Sequence, residues 1–229
     1  MWGSVMTKLW VVCLGLFVSV GIARADLLVG WNVGGLHGTN DNLSANTIAD
    51  DIASAVLSRG PGIAPSAATN SFLSNSWTMP AGSTISDAIL SNDYFSITIT
   101  AEAGFTLNVT NLSWFVNRSA TGPSNLTLRS SADGFATDLA TWLRSGTSAG
   151  EIGTPLAISG VNSIEFRIYG AGATAAAGSL RVADGGNIGD TGIDLGVFGS
   201  VVPEPGTILL MGAGLIALTA SRRKIRRQA

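Results

Sequence analysis

The chain has 229 residues, 46% of them apolar and only 12% charged, with one histidine, one cysteine and a formal charge of −2. A lone histidine excludes a histidine metal cluster, and a lone cysteine excludes an internal disulfide. The charge is unevenly spread: residues 26–205 keep six arginines and no lysine against all fifteen acidic side chains, hence a formal charge of −9. That balance lacks the basic footprint of a nucleic-acid binder, so no nucleic-acid partner is expected.

Lys8 opens the chain with a positive charge, Leu9 to Val20 form an apolar run, and Ala23-Arg24-Ala25 has the small-x-small pattern that a signal peptidase cuts after. Residues 1–25 therefore read as a signal peptide with a helical apolar segment, Ala23 and Ala25 as the cleavage determinants, and Asp26 as the mature N-terminus. Cys13 lies inside that segment, so the mature chain carries no thiol.

Residues 26–200 are expected to form one domain, long enough to bury about 70% of its unfolded surface without a disulfide. Leu27 to Val33 read as a strand ended by Gly34-Gly35. Thr47 to Ser58 place Ile48, Ile52, Ala55 and Val56 at helical spacing, with Asp50 and Asp51 suited to a helix start, and predict a short helix stopped by Gly60-Pro61. The Pro- and Gly-rich run from Gly60 to Asn75 reads as a long loop. The period then becomes two: Phe95-Ile97-Ile99, Phe105-Leu107-Val109 and Leu112-Trp114-Val116 alternate with polar residues as half-buried strands do. Further strands are expected at Leu126-Leu128, Ile164-Phe166-Ile168, Leu180-Val182 and Leu195-Phe198, and a turn over Asp133 to Leu143. Many short strands between Gly, Ser and Asn turns argue for an antiparallel two-sheet sandwich.

Residues 201–229 form a separate tail. Pro203 and Pro205 flank Glu204 and keep a helix from starting before about Gly206. Residues 206–221 are apolar and would span roughly 24 Å as a helix, short of a hydrocarbon core of about 30 Å unless flanking arginines snorkel. Arg222, Arg223, Lys224, Arg226 and Arg227 then make a basic end at 222–229 that stays on the cytoplasmic side of the membrane. A breaker motif at 202–205, a transmembrane helix and a basic end, in that order, resemble the PEP-CTERM sorting signal of Gram-negative, exopolysaccharide-producing bacteria. The resemblance implies processing by a membrane exosortase near Pro203, Glu204 and Pro205, which are a substrate for another enzyme. Residues 92–98, 118–123, 128–135 and 164–170 resemble the jelly-roll-like ectodomains that such proteins often carry. The resemblance thus implies a mainly β, jelly-roll-like sandwich, sorted at the inner membrane and placed at the cell surface or in an exopolysaccharide or biofilm matrix, and nothing about activity; a structural or adhesive role there is the expectation.

No catalytic residue is assigned. His37 lies in the turn Gly35-Leu36-His37-Gly38 and reads as an exposed loop residue, with no Gly-x-Ser-x-Gly elbow to serve it. A glycoside hydrolase would need two carboxylates about 5 to 9.5 Å apart, with Glu102, Glu151 and Glu165 as the longer-armed candidates. A carbohydrate-binding module would stack sugar rings on exposed aromatics. Trp31 and Trp114 read as core, whereas Trp77 and Tyr169 are the candidate glycan contacts for an extracellular polysaccharide. Asp184, Asn187, Asp190 and Asp194 supply hard oxygen ligands for calcium, although an acidic glycine turn is more often just a turn and their spacing is not that of an EF-hand. No other cofactor is expected.

Overall fold

The computed structural model describes residues 26–204 and Gly206. The expected signal peptide at 1–25, Pro205, the expected transmembrane helix from Thr207 and the basic end lie outside the described residues. Among the described residues no helix is long and apolar enough to cross a membrane.

The strands, in chain order, are β1 (Asp26–Trp31), β2 (Leu43–Ser44), β3 (Thr47–Ile48), β4 (Ile52–Arg59), β5 (Ala64–Pro65) and β6 (Ser71–Asn75). One helix, α1 (Ile85–Ser91), precedes β7 (Tyr94–Ala101), β8 (Phe105–Arg118), β9 (Asn125–Ser130), β10 (Ala140–Leu143), β11 (Gly150–Val161), β12 (Ser163–Ala171), β13 (Leu180–Ala183) and β14 (Leu195–Pro203). They form two sheets with antiparallel strand pairing, ordered β3-β1-β14-β8-β13-β6-β5, with β11 along the other side of β8, and β10-β9-β12-β7-β4-β2. This is the expected two-sheet sandwich.

The core is made by inward residues of both sheets. Trp31, Leu107, Val109, Leu112, Trp114 and Val116 from the first sheet meet Leu57, Phe95, Ile97, Ile99, Leu128 and Phe166 from the second, all fully buried. Trp31 keeps its indole N–H paired by donating to the Leu43 carbonyl at 2.9 Å. Such burial contributes about 1.5–3 kcal/mol for each large aliphatic or aromatic side chain. The two alternating runs at 105–109 and 112–116 are one strand, β8. Its inward set changes parity between Val109 and Leu112, where its pairing with β14 slips between Phe198 and Gly199.

The expected helix over 47–58 is instead β3 and β4. The buried residues of β4 are Ile52, Ala55 and Leu57, and its register with β7 slips between Ile52 and Ser54. An extra residue at that bulge separates two inward side chains by three positions, which imitates a helical face. The loop expected over 60–75 contains β5 and β6. Phe72, fully buried in β6, lies under the Arg59 guanidinium at 3.7 Å. Arg59 donates Nε to Ser74 Oγ at 2.6 Å and Nη2 to the Gly38 and Leu73 carbonyls at 2.8 Å each. Burial pulls its pKa down to about 10.

α1 lies on the outer face of the second sheet, over Tyr94, Tyr169 and Ala171. Thr84 and Asp87 cap its start reciprocally, and Asn92 ends it in the left-handed conformation at φ 59°. The segment expected as a turn over 133–143 begins with a 3₁₀ turn at Ser131–Asp133 and ends in β10.

Candidate functional site: the end of the last strand

β14 is the strand that leads into the tail, and its neighbours determine how the Pro-Glu-Pro motif is held. From Leu195 to Gly199 it lies between β1 and β8; the last β1 partner is Asp26, opposite Gly199. Beyond that point, among the described residues, only β8 remains, with Ser200 opposite Asn108 and Pro203 opposite Phe105. A residue with no amide hydrogen is tolerated at such a one-sided position. Pro203 is exposed there.

Glu204 is half-buried and held by two groups. Its amide donates to the Gly104 carbonyl at 2.8 Å. Its carboxylate Oε1 accepts from Asn162 Nδ2 at 2.6 Å, and the same nitrogen donates to the Phe105 carbonyl at 3.1 Å. Gly104 belongs to the turn that joins β7 to β8 and has φ +87°, a conformation natural to glycine. Asn162 links β11 of one sheet to β12 of the other, and its own carbonyl accepts from Ala101 at 2.8 Å. Two inter-sheet connections therefore converge on the second residue of the motif. Proline chemistry shows that the motif resists helix formation, but Asn162 carries no sequence signal that would have marked it as a partner of Glu204.

Residues 201–224 match the family of PEP-CTERM protein-sorting motifs. The chain carries a PEP-CTERM sorting motif. The PEP-CTERM match begins inside β14, so the sorting signal and the sandwich overlap at 201–203. It marks the chain as an exported protein with a C-terminal, membrane-associated sorting signal. No curated protein matches the sequence. Among solved structures, the fold is similar to the CBM22-1 xylan-binding domain of Paenibacillus barcinonensis Xyn10C, with 9% identity, a TM-score of 0.35, and 78% of this chain and 97% of that domain covered. It is also similar to an arabinose-bound GH51 α-L-arabinofuranosidase, with 14% identity, a TM-score of 0.36 and 77% of this chain covered, and this chain spans 27% of that enzyme's length.

The other candidate residues of the domain before the motif fall out as follows. Trp77 and Tyr169 are 1% and 2% exposed, so neither presents a face on which a sugar could stack. Trp77 packs edge-on against Phe95 at 5.2 Å and donates its indole N–H to the Ser74 carbonyl at 2.9 Å. Gly170 makes room for it: a Cβ there would lie 2.7 Å from the indole ring. Tyr169 is covered by α1 and meets Tyr94 at 5.2 Å. The neighbours of Trp77 in the chain, Asn75, Ser76 and Thr78, are small and polar, yet the segment folds inward. Trp31 and Trp114 are core, as expected.

Three of the four oxygen-bearing residues of the candidate calcium site make side-chain hydrogen bonds within the fold. Asp194 is 1% exposed, with Oδ2 accepting from the Val33 amide at 2.8 Å and Oδ1 from the Gly186 amide at 2.9 Å. Burial raises its pKa above the usual carboxylate range, against the lowering effect of those amides. Asn187 Oδ1 accepts from Gly192, and Asn187 Nδ2 donates to Asp190 Oδ1 at 3.2 Å. Asp184 is exposed. Among the described residues no three His, Cys, Asp or Glu side chains converge as a metal site.

Glu102, Glu151 and Glu165 occupy separate elements: the β7–β8 turn, the edge strand β11, and β12 in the other sheet. Glu165 accepts from Arg167 Nε at 2.7 Å and from Ser96 Oγ at 2.8 Å. His37 is exposed, as expected. A shallow groove of about 360 Å³ lies between α1 and β10, lined by Ile85, Asn125, Thr127, Thr141, Trp142 and Leu143. Trp142, in a segment whose sequence reads as a turn, carries no signal there that marks it as a surface contact.

Proposed function

We propose that this protein is delivered across the inner membrane of a Gram-negative bacterium by a signal peptidase-cleaved leader and held there by its C-terminal helix. An exosortase then cuts it near Pro203-Glu204-Pro205. The sandwich is displayed at the cell surface or released into an exopolysaccharide matrix, where its role is structural or adhesive and non-catalytic. The observation that carries this reading is the continuity of the sorting motif with the last core strand: the described residues from Asp26 up to the motif are one folded cargo. Intact mass spectrometry of cell-envelope and medium fractions from the native host tests it, with and without Pro203, Glu204 and Pro205 replaced by alanine. Loss of residues 1–25 and of the tail beyond the motif, blocked by the replacement, is the expected result. An unprocessed tail in every fraction would overturn it.

A carbohydrate-binding role is the second reading, and the α1–β10 groove favours it. Its lining is uncharged, with Trp142, Leu143 and Ile85 as an apolar wall beside Asn125, Thr127 and Thr141, the mixture that suits a neutral sugar ring. Titration with neutral oligosaccharides, compared with a Trp142→Ala variant, checks it. Absence of binding at millimolar ligand would refute it.

A further inference from the structure

The sorting motif is not a free arm. Pro203 is paired against β8 and Glu204 is tied to Gly104 and Asn162. An enzyme that cuts a peptide takes it as an extended segment, using the backbone for hydrogen bonds and the side chains for specificity. The Glu204 amide and carboxylate cannot serve such an enzyme while they are engaged with the sandwich.

We propose that Asn162 and Gly104 form a clasp that holds the sorting motif on the sandwich, and that Asn162 sets the fraction of molecules whose motif is free to be cut. This rests on the reading that an exosortase cleaves near the motif. The end of β14 is built for such local release. Among the described residues it has a single neighbouring strand beyond Gly199, whereas upstream it is held on both sides. Segments with few neighbours open at lower free energy than the whole domain. The apparent rate of an enzyme that needs the open form scales with the open fraction.

Asn162 is a positioning residue and not part of the core. Its side chain is exposed and, among the described residues, bonds the Phe105 carbonyl and Glu204 alone, while its link to Ala101 runs through the backbone. Asn162→Ala therefore removes the side-chain clasp and leaves the inter-sheet connection. Loss of a hydrogen bond to a charged group at a half-exposed site raises the open fraction by about tenfold. Asn162→Asp places a second carboxylate against Glu204 and raises it at least as much.

The test is a pulse-chase of the full chain in its native host, with processing followed by mass. Faster cleavage of Asn162→Ala and Asn162→Asp, by about tenfold, is the expected result. Hydrogen exchange on the purified full chain should show the same acceleration at the Glu204 amide, with β14 amides from Leu195 to Gly199 still protected. Unchanged or slower cleavage in the variants, with the wild type processed normally, overturns the clasp alone. Loss of protection along the whole of β14 overturns it as well, because Asn162 would then be stabilising the domain at large. No cleavage of any form overturns the sorting reading and the clasp with it.

Discussion

Replacing Asp194 by alanine tests how the first sheet is closed at its core. The Asp194 carboxylate bridges the Val33 amide, just past β1, and the Gly186 amide, in the connection from β13, while its own amide donates to the Trp31 carbonyl at 2.8 Å. The alanine variant keeps the last bond and orphans the first two donors. Val33 is fully buried and cannot turn to water, so its amide bears a penalty of about 1–3 kcal/mol. Gly186 is half-buried and recovers part of its loss. Together the cost comes to about 2–4 kcal/mol, which for a domain of this size lowers Tm by roughly 5–15 °C.

Burial raises the Asp194 pKa in the folded state. A carboxyl so shifted favours the fold fully below its unfolded pKa, and this contribution is lost as pH rises through the folded value. The gap between wild type and Asp194→Ala should therefore be widest near pH 3 and narrower at pH 7. Urea unfolding followed by the fluorescence of buried Trp31, Trp77 and Trp114 measures both quantities. A destabilisation under about 1 kcal/mol, or a gap that widens toward neutral pH, would refute the account.

Three further outcomes follow from the packing. Gly170→Ala pushes a methyl into the Trp77 ring and should cost about 1–3 kcal/mol, read as a lower urea midpoint and an altered tryptophan emission. Arg59→Lys should lose most of what Arg59→Ala loses, about 2–4 kcal/mol, since an ammonium cannot reproduce the fork that bonds Ser74, Gly38 and Leu73; thermal unfolding of the two variants compares them. Chelation with EDTA should leave Tm unchanged, because Asp194, the one buried member of the acidic loop, already spends an oxygen on each of two amides; a fall of several degrees would restore a calcium site.

Alternation made β7, β8 and β12 legible in the sequence, since each pairs over most of its length with one face buried. The alternating signal fails where pairing is irregular. In β4 the bulge beside Ala53 turned a strand into an apparent helical face, and β11 went unseen because Gly150, Gly153, Pro155 and Gly160 interrupt its pattern. Helix α1 is not legible although Thr84-Ile85-Ser86-Asp87 carries a capping signal, because seven residues are too few for a period of 3.6 to stand out. The sorting motif could be recognised from order and composition alone. Its attachment to Gly104 and Asn162 could not, because that depends on two turns brought beside it by sheets that pair residues far apart in sequence. Trp77 shows the same limit: polar neighbours in the chain say little about the Phe95 and Gly170 that enclose it.

β14 also decides how the molecule would bear a mechanical load. A pull transmitted through the tail enters the domain at Pro203 and runs along the axis of a strand flanked by β8 throughout and by β1 over its inner half. Hydrogen bonds that lie across the direction of force share it in parallel, so the inner segment resists sliding as a unit. The outer residues, held on one side and closed by a single asparagine, would yield first and leave the tryptophan core intact. The sandwich would thus act as a rigid bead on a short extensible leash, with the compliance confined to the few residues that form its attachment.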